Sequence, residues 1–176
     1  MANALAAAAV AIGLGAAVEK TAATLSRAVL VAAGRMEVTD RPDGVRIIND
    51  AFNANPDSMK AAFTVLQAMA DGRRTVAVLG EMKELGANGA EEHRQVGRFA
   101  ATGVHFLIAV GGDDAWAIAD AAQQSNPHLK VVGARDRDHA LALARDLIQP
   151  GDIVLVKGSR SVGLEDTAER LAQPTP

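Results

Sequence analysis

Apolar residues change their spacing near residue 34. Before it, Met1 to Val18 carries no charged side chain and is rich in alanine, the strongest helix former. Glu19 to Val31 continues a helical pattern, with Ala22, Leu25 and Val29 on one face and a stop at Gly34. The apolar runs then become short and β-like. Met36 to Thr39 and Val45 to Asn49 flank Arg41-Pro42-Asp43-Gly44, a turn cluster that predicts a hairpin. The pattern places a domain boundary near Gly34.

Beyond the hairpin, helical and strand patterns alternate. Asn55-Pro56 predicts a helix start, with asparagine as cap and proline in the first turn, and Met59, Phe63, Leu66 and Met69 recur at helical spacing up to Asp71-Gly72. Further helices are predicted at about Glu91 to Thr102, Asp113 to Gln124, Arg137 to Ile148 and Val162 to Ala172. Strands are predicted at Thr75 to Leu79, His105 to Val110, Lys130 to Val132 and Ile153 to Val156. Continuous apolar strands suit a parallel sheet covered on both faces. The expected fold is α/β, a three-layer Rossmann-like domain with a mostly parallel sheet, preceded by a helical segment.

Composition narrows the partners. The chain has 176 residues, a net charge of -3 and only four Phe, one Trp and no Tyr, so its core is aliphatic and it has no basic footprint for nucleic acid. Zero cysteines exclude disulfides and Cys-ligated zinc, and suit a reducing cytoplasm. The uncharged start lacks the positive leader of a signal peptide and the bulky side chains of a membrane span. A helix buried in a larger protein fits it better, and no membrane insertion is expected.

In a parallel sheet, ligands bind at the carboxyl ends of strands, and four loops there stand out. In Asn49-Asp50-Ala51-Phe52-Asn53-Ala54-Asn55, Asp50 could accept two hydrogen bonds from a sugar diol, while Asn53 and Asn55 can donate and accept. Asn55 is equally explained as a helix cap, whereas nothing local requires an aspartate at 50. Leu79-Gly80-Glu81-Met82-Lys83-Glu84-Leu85-Gly86 reads as a compact loop with exposed charges, either a binding loop or ordinary surface. Val110-Gly111-Gly112-Asp113-Asp114 could cradle phosphate, but its paired aspartates would repel it, so it reads as structural. Lys157-Gly158-Ser159-Arg160-Ser161 joins two cations to a helix start and reads as an anion site, or else as a solvated basic turn.

Other signals fail. Gly13-Leu14-Gly15 has no third glycine and no preceding strand, and no Gly-x-x-x-x-Gly-Lys-Ser/Thr loop exists in the chain. The four histidines lack metal-ligand spacing, and His93, beside Glu91 and Glu92, reads as a solvated helix start. No metal site is expected.

Taken together, Asn3-Ala4-Leu5-Ala6-Ala7, Gly34-Arg35-Met36-Glu37, Asn49-Asp50 with Asn53-Ala54-Asn55-Pro56-Asp57-Ser58-Met59, Leu79 to Gly86, His93 with Val96-Gly97, and Lys157 to Ser161 resemble the Mur ligases. The resemblance spans nearly the whole chain. Within the family it is strongest to the branch that adds D-alanyl-D-alanine to UDP-N-acetylmuramoyl-tripeptide in peptidoglycan synthesis. It implies that residues 1–34 are the last helices of a central ATPase domain and residues 35–176 the carboxy-terminal Rossmann-like domain. The amino-terminal domain and the rest of the central domain, with its phosphate loop, would lie outside this sequence, a piece cut from a longer chain.

By the same resemblance, Asn3 would contact adenine, and Arg35 and Asp50 would reach the nucleotide, Asp50 at the ribose. Asn53, Asn55, Glu84, Lys157, Ser159 and Arg160 would face the peptide substrates. The family uses ATP and Mg2+ to activate the tripeptide carboxylate as an acyl phosphate, which the amine of D-Ala-D-Ala attacks. The resemblance puts no catalytic or metal-binding residue of that activation in this chain, which would not ligate alone. Phe52 stands where the family usually has tyrosine. The rival reading is a freestanding Rossmann-like module that binds a nucleotide or anion without catalysis, with residues 1–34 packed into one domain.

Overall fold

The computed structural model describes residues 2–27 and 34–174, and side chains from residue 4 onward. The chain divides into two compact units, Met1–Ala32 and Ala33–Pro176. In the first, helices α1 (Ala2–Gly13) and α2 (Val18–Ser26) form a hairpin through a turn in which Gly15 has φ 89°. Alanine spacing lets the two helices approach, but Leu5, Val10 and Val18 on them and Leu14 in the turn remain exposed. The predicted continuation of α2 through Val29 to Val31 lies outside the described residues. Among the described residues, no helix is long and apolar enough to cross a membrane.

The second unit is the α/β domain that the strand and helix periodicity predicts. Strands β1 (Glu37–Asp40), β2 (Arg46–Asn49), β3 (Thr75–Gly80), β4 (Phe106–Val110), β5 (Lys130–Ala134) and β6 (Ile153–Lys157) form one sheet in the order β1-β2-β6-β3-β4-β5. Only β1 is antiparallel, paired with β2 across the predicted hairpin, in which Gly44 supplies the positive φ of the turn. The helices are α3 (Pro56–Ala70), α4 (Gly89–Ala100), α5 (Asp113–Ser125), α6 (Arg137–Leu147) and α7 (Leu164–Ala172).

Alternation along each strand builds two aliphatic cores. Ile48, Ala77, Leu79, Leu107 and Leu155 face α3, α4 and α5, packing on Met59, Phe63, Val96 and Ile118. Ile47, Val76, Val78, Ile108, Val154 and Val156 face α6 and α7, against Leu141, Leu164 and Leu171. Helices on both faces also explain why these strands carry no polar face.

Two helix starts show how local chemistry sets the frame. The last helix begins at Leu164 and not at Val162, because Gly163 at φ 73° separates it from a short 3-10 turn at Arg160–Val162. At α3, Asn55 Oδ1 accepts the Ser58 N–H at 2.8 Å while Ser58 Oγ accepts the Asn55 N–H at 3.0 Å, a reciprocal capping box followed by Pro56. Asn55→Ala removes one half of it and is expected to cost about 1 kcal/mol. A lower urea midpoint at unchanged m-value checks this.

Candidate functional site

Strand register creates the site. Asn49 on β2 pairs with Val156 on β6, and the Asp50 N–H donates to the Val156 carbonyl at 2.9 Å, which sets Asp50 beside Lys157. Lys157 Nζ donates to Asp50 Oδ2 at 2.7 Å and to the Asn53 carbonyl at 2.9 Å. The lysine side chain is 2% exposed and the aspartate 15%. Asp50 Oδ1 also accepts the Met36 N–H at 3.1 Å, which fixes the entry into β1. The aspartate therefore has a local requirement invisible in its neighbourhood in sequence: it neutralises a buried ammonium. Equally, Lys157 is not a solvated basic turn, and its charge is matched inside the fold.

Exposed positive charge at this edge belongs instead to two arginines. The Arg35 guanidinium lies 4.0 Å from the centroid of the Phe52 ring and that of Arg160 lies 5.3 Å from it, a double cation-π contact. Both arginines are exposed, and neither has a carboxylate partner among the described residues. The Phe52 N–H donates to the Gly34 carbonyl at 2.9 Å, with Gly34 at φ 72°, so the backbone holds the platform in place. Arg35, Asp50, Phe52, Asn53, Asn55, Ser58 and Lys157 line a cavity of about 170 Å³. Asn53 Oδ1 accepts the Ala54 N–H and Asn55 Oδ1 accepts the Ser58 N–H. Each amide thus keeps its NH2 group for a ligand carbonyl or carboxylate.

The loop after β3 is built into the interior. Glu81 and Met82 are buried, although the loop reads as exposed in sequence. Gly80 and Gly158 lie back to back, a Cβ on either meeting the other's Cα within 3.3 Å, so the loops after β3 and β6 touch. Ser159 joins them: its N–H donates to the Glu81 carbonyl at 2.9 Å and its Oγ accepts the Lys83 N–H at 2.9 Å. His93, read from sequence as solvated, is fully buried. Its Nε2 accepts the Met82 N–H at 2.8 Å while Nδ1 lies 2.7 Å from the Gly89 carbonyl. These partners require the tautomer with hydrogen on Nδ1. The neighbouring glutamates project outward from α4, whereas His93 shares the buried face with Val96, Gly97 and Ala100.

Glu81 explains the glycine-rich turn after β4. The Gly112 N–H donates to Glu81 Oε1 at 2.6 Å, and Lys83 Nζ pairs with Oε2, so the anion at the start of α5 is the protein's own carboxylate. Burial disfavours its ionisation, but the Lys83 hydrogen bond, the Gly112 N–H and the Lys83 charge outweigh it, holding the carboxyl below its ordinary 4.5. A folded-state value below the unfolded one contributes stability above 4.5 and loses it as pH falls through the folded value. Glu81→Gln is therefore expected to flatten the loss of stability below pH 4.5, read from urea midpoints along an acid series.

Known proteins interpret this geometry. A family model described as "Mur ligase, glutamate ligase domain" matches residues 34–160. This chain belongs to the Mur ligases. A Mycobacterium tuberculosis UDP-N-acetylmuramoyl-tripeptide--D-alanyl-D-alanine ligase is 43% identical over 96% of the chain, which spans 37% of that relative's length. MurF from Acinetobacter baumannii superposes with a TM-score of 0.85 at 32% identity, covering 98% of this chain and 37% of that one. MurF from Thermotoga maritima, solved in complex with ADP, shares the fold with a TM-score of 0.73 at 24% identity over 93% of this chain and 35% of its own.

Within this Mur ligase portion, the residues singled out in sequence separate into groups. Arg35, Asp50, Asn53, Asn55 and Lys157 converge on one cavity, with Arg160 added through Phe52. Glu84 is exposed on the β3 loop at φ 66°, a left-handed conformation uncommon for a side-chain-bearing residue. Ser159, 4% exposed, is consumed by loop-to-loop bonds. The Asn3 side chain lies outside the described residues. Glu81 and the buried state of His93 escaped sequence reading. A period of four through His93 and Gly97 was the available signal.

Proposed function

We propose that this chain forms the acceptor-facing part of an ATP-dependent amide ligase that joins D-alanyl-D-alanine to UDP-N-acetylmuramoyl-tripeptide. The observation that carries it is one cavity holding Arg35, Asp50, Phe52, Asn53, Asn55 and Lys157, in a chain 43% identical to such a ligase. Residues 1–34 are read as the end of the ATPase domain and 35–176 as the carboxy-terminal domain. The division at Ala32/Ala33 and the exposed Leu5, Val10, Leu14 and Val18 support this over a freestanding module.

The chemistry divides accordingly. ATP, with magnesium, supplies an activated carboxylate. The cavity of about 170 Å³ is smaller than the roughly 300 Å³ of ordinary ligand pockets, so it suits an edge of a nucleotide or peptide and not a whole triphosphate. Asp50 keeps lone pairs for a ribose diol beyond those used by Lys157 and Met36. Arg35 and Arg160 steer anionic groups, and the NH2 donors of Asn53 and Asn55 orient peptide carbonyls. No group of three or more His, Asp or Glu side chains converges among the described residues, and magnesium is assigned no ligand here. The contribution is proximity: the domain holds the attacking amine and excludes water. Such a reaction belongs in the cytoplasm, where ATP and the nucleotide-linked substrate are made.

Phosphate release is measured with ATP, Mg2+, UDP-N-acetylmuramoyl-tripeptide and D-Ala-D-Ala. The chain alone is expected to release none, and to restore ligation when mixed with the amino-terminal and central domains of the M. tuberculosis relative. Turnover by the chain alone, or no ligation in the mixture, would overturn the reading.

A further inference from the structure

Helices α4 and α5 leave a groove of about 320 Å³ along their outer seam. Arg94 and Arg98 of α4 form one wall, Asp113 and Asp120 of α5 the other, and Ala117 and Ala121 lie between them. The walls carry opposite charge. Arg94 Nε donates to Glu91 Oε2 at 2.8 Å and Arg98 pairs with Oε1 of the same carboxylate, so two cations share one anion and the α4 wall stays positive. Asp113 and Asp120 are exposed, and neither has an ion-pair partner among the described residues. No ion pair crosses the groove. Trp116, the only tryptophan in the chain, lines it with 45% of its surface exposed.

The register of the two helices decides what fits there. Each follows one of two parallel neighbouring strands, α4 after β3 and α5 after β4, so they run in the same direction. At their closest approach Gly97 lies against the Ile118 carbonyl and Ala121. Arg98, next to Gly97, therefore stands level with Asp120, and Arg94, one turn earlier, stands level with the turn from Asp113 to Ala117. A two-fold axis along the seam lays α4 of one copy on α5 of another at the same level. Arginine walls then meet aspartate walls. An axis across the seam would instead oppose like charges.

We propose that the α4–α5 face is a self-complementary interface between two copies of this chain, Arg98 of each copy pairing with Asp120 of the other and Arg94 with Asp113. Each Trp116 is covered by the facing α4, whose guanidinium groups give the indole a cation-π partner. The small Ala117 and Ala121 let the helices approach. The face shares no residue with the cavity at Arg35 and Asp50, so pairing is independent of the ligase reading.

Sedimentation of the full chain across a dilution series, at low and high salt, tests the pairing together with Trp116 emission. A dimer is expected that dissociates on dilution and in high salt, its emission moving to the red as water reaches the indole. Every reversed charge acts twice in a two-fold pair, so Arg98→Glu or Asp120→Arg is expected to weaken association roughly tenfold or more. Mixing the two variants should restore it, because the two reversed charges then face each other and the second Arg98–Asp120 contact is native. A monomer at every concentration, association indifferent to either reversal, or no recovery in the mixture would each overturn the assignment. Association with unchanged Trp116 emission would do so too, since the contact would then lie elsewhere, as on the exposed apolar residues of α1 and α2.

Discussion

Lys157→Met is expected to destabilise the α/β unit by about 3 kcal/mol, and Asp50→Ala by more, toward about 5 kcal/mol. The asymmetry follows from burial. Removing the lysine strands a carboxylate that is 15% exposed and still bonded to the Met36 N–H, so water can partly solvate it. Removing the aspartate strands an ammonium that is only 2% exposed, with two backbone carbonyls for partners. Mutual attraction within the pair is not the source of the cost; the uncompensated charge left behind is. The Lys157→Met/Asp50→Ala double variant should therefore lose less than the sum of the singles, a coupling visible in a thermodynamic cycle. At roughly 3 °C per kcal/mol for a chain of this size, the singles should melt on the order of 10 °C lower. Additive losses would show that the pair is incidental. A role for Asp50 at a ribose then has to be measured against this structural duty, since any Asp50 variant perturbs both.

What the sequence disclosed depended on whether the information was local. The hairpin, the α3 cap and the alternation of strands and helices are written within a few residues each, in Asp43-Gly44, Asn55-Pro56 and the aliphatic runs. Each appears in the structure within about two residues. The Asp50–Lys157 pair spans 107 residues and exists only because β2 and β6 lie side by side, an adjacency no local pattern encodes. The same holds for Glu81, whose partner Gly112 is 31 residues away. Charged residues next to a turn look solvated in sequence, and in a parallel sheet they are the ones that close the carboxyl edge. The resemblance to the family pointed to the loops after β2, β3 and β6, of which those after β2 and β6 border one cavity. The bonds of Ser159 to the β3 loop and the stacking of Arg35 and Arg160 on Phe52 likewise join segments far apart in the chain.

Gly97→Ala is expected to destabilise the fold by about 3 kcal/mol, against the direction that helix propensity alone would give. In a solvated helix interior the change would stabilise by about 1 kcal/mol. Here the new Cβ would sit 2.2 Å from the Ile118 carbonyl oxygen, 3.0 Å from its carbon and 3.1 Å from the Ala121 Cβ. These are mostly backbone atoms of α5, which cannot rotate aside, so α4 must move, and overpacking of this kind costs about 1–3 kcal/mol or more. Gly133→Ala separates proximity from rigidity. Its Cβ would come within 2.1 Å of Trp116, but that ring is 45% exposed and can swing out, so a smaller loss is expected. The displacement of α4 also has a local consequence. His93 lies one turn before Gly97 on the same buried face, and its ring holds the Met82 N–H. Gly97→Ala should therefore speed hydrogen exchange at the Met82 amide beyond what global destabilisation explains, whereas Gly133→Ala should not. Equal exchange in both variants would show that α4 does not position the β3 loop.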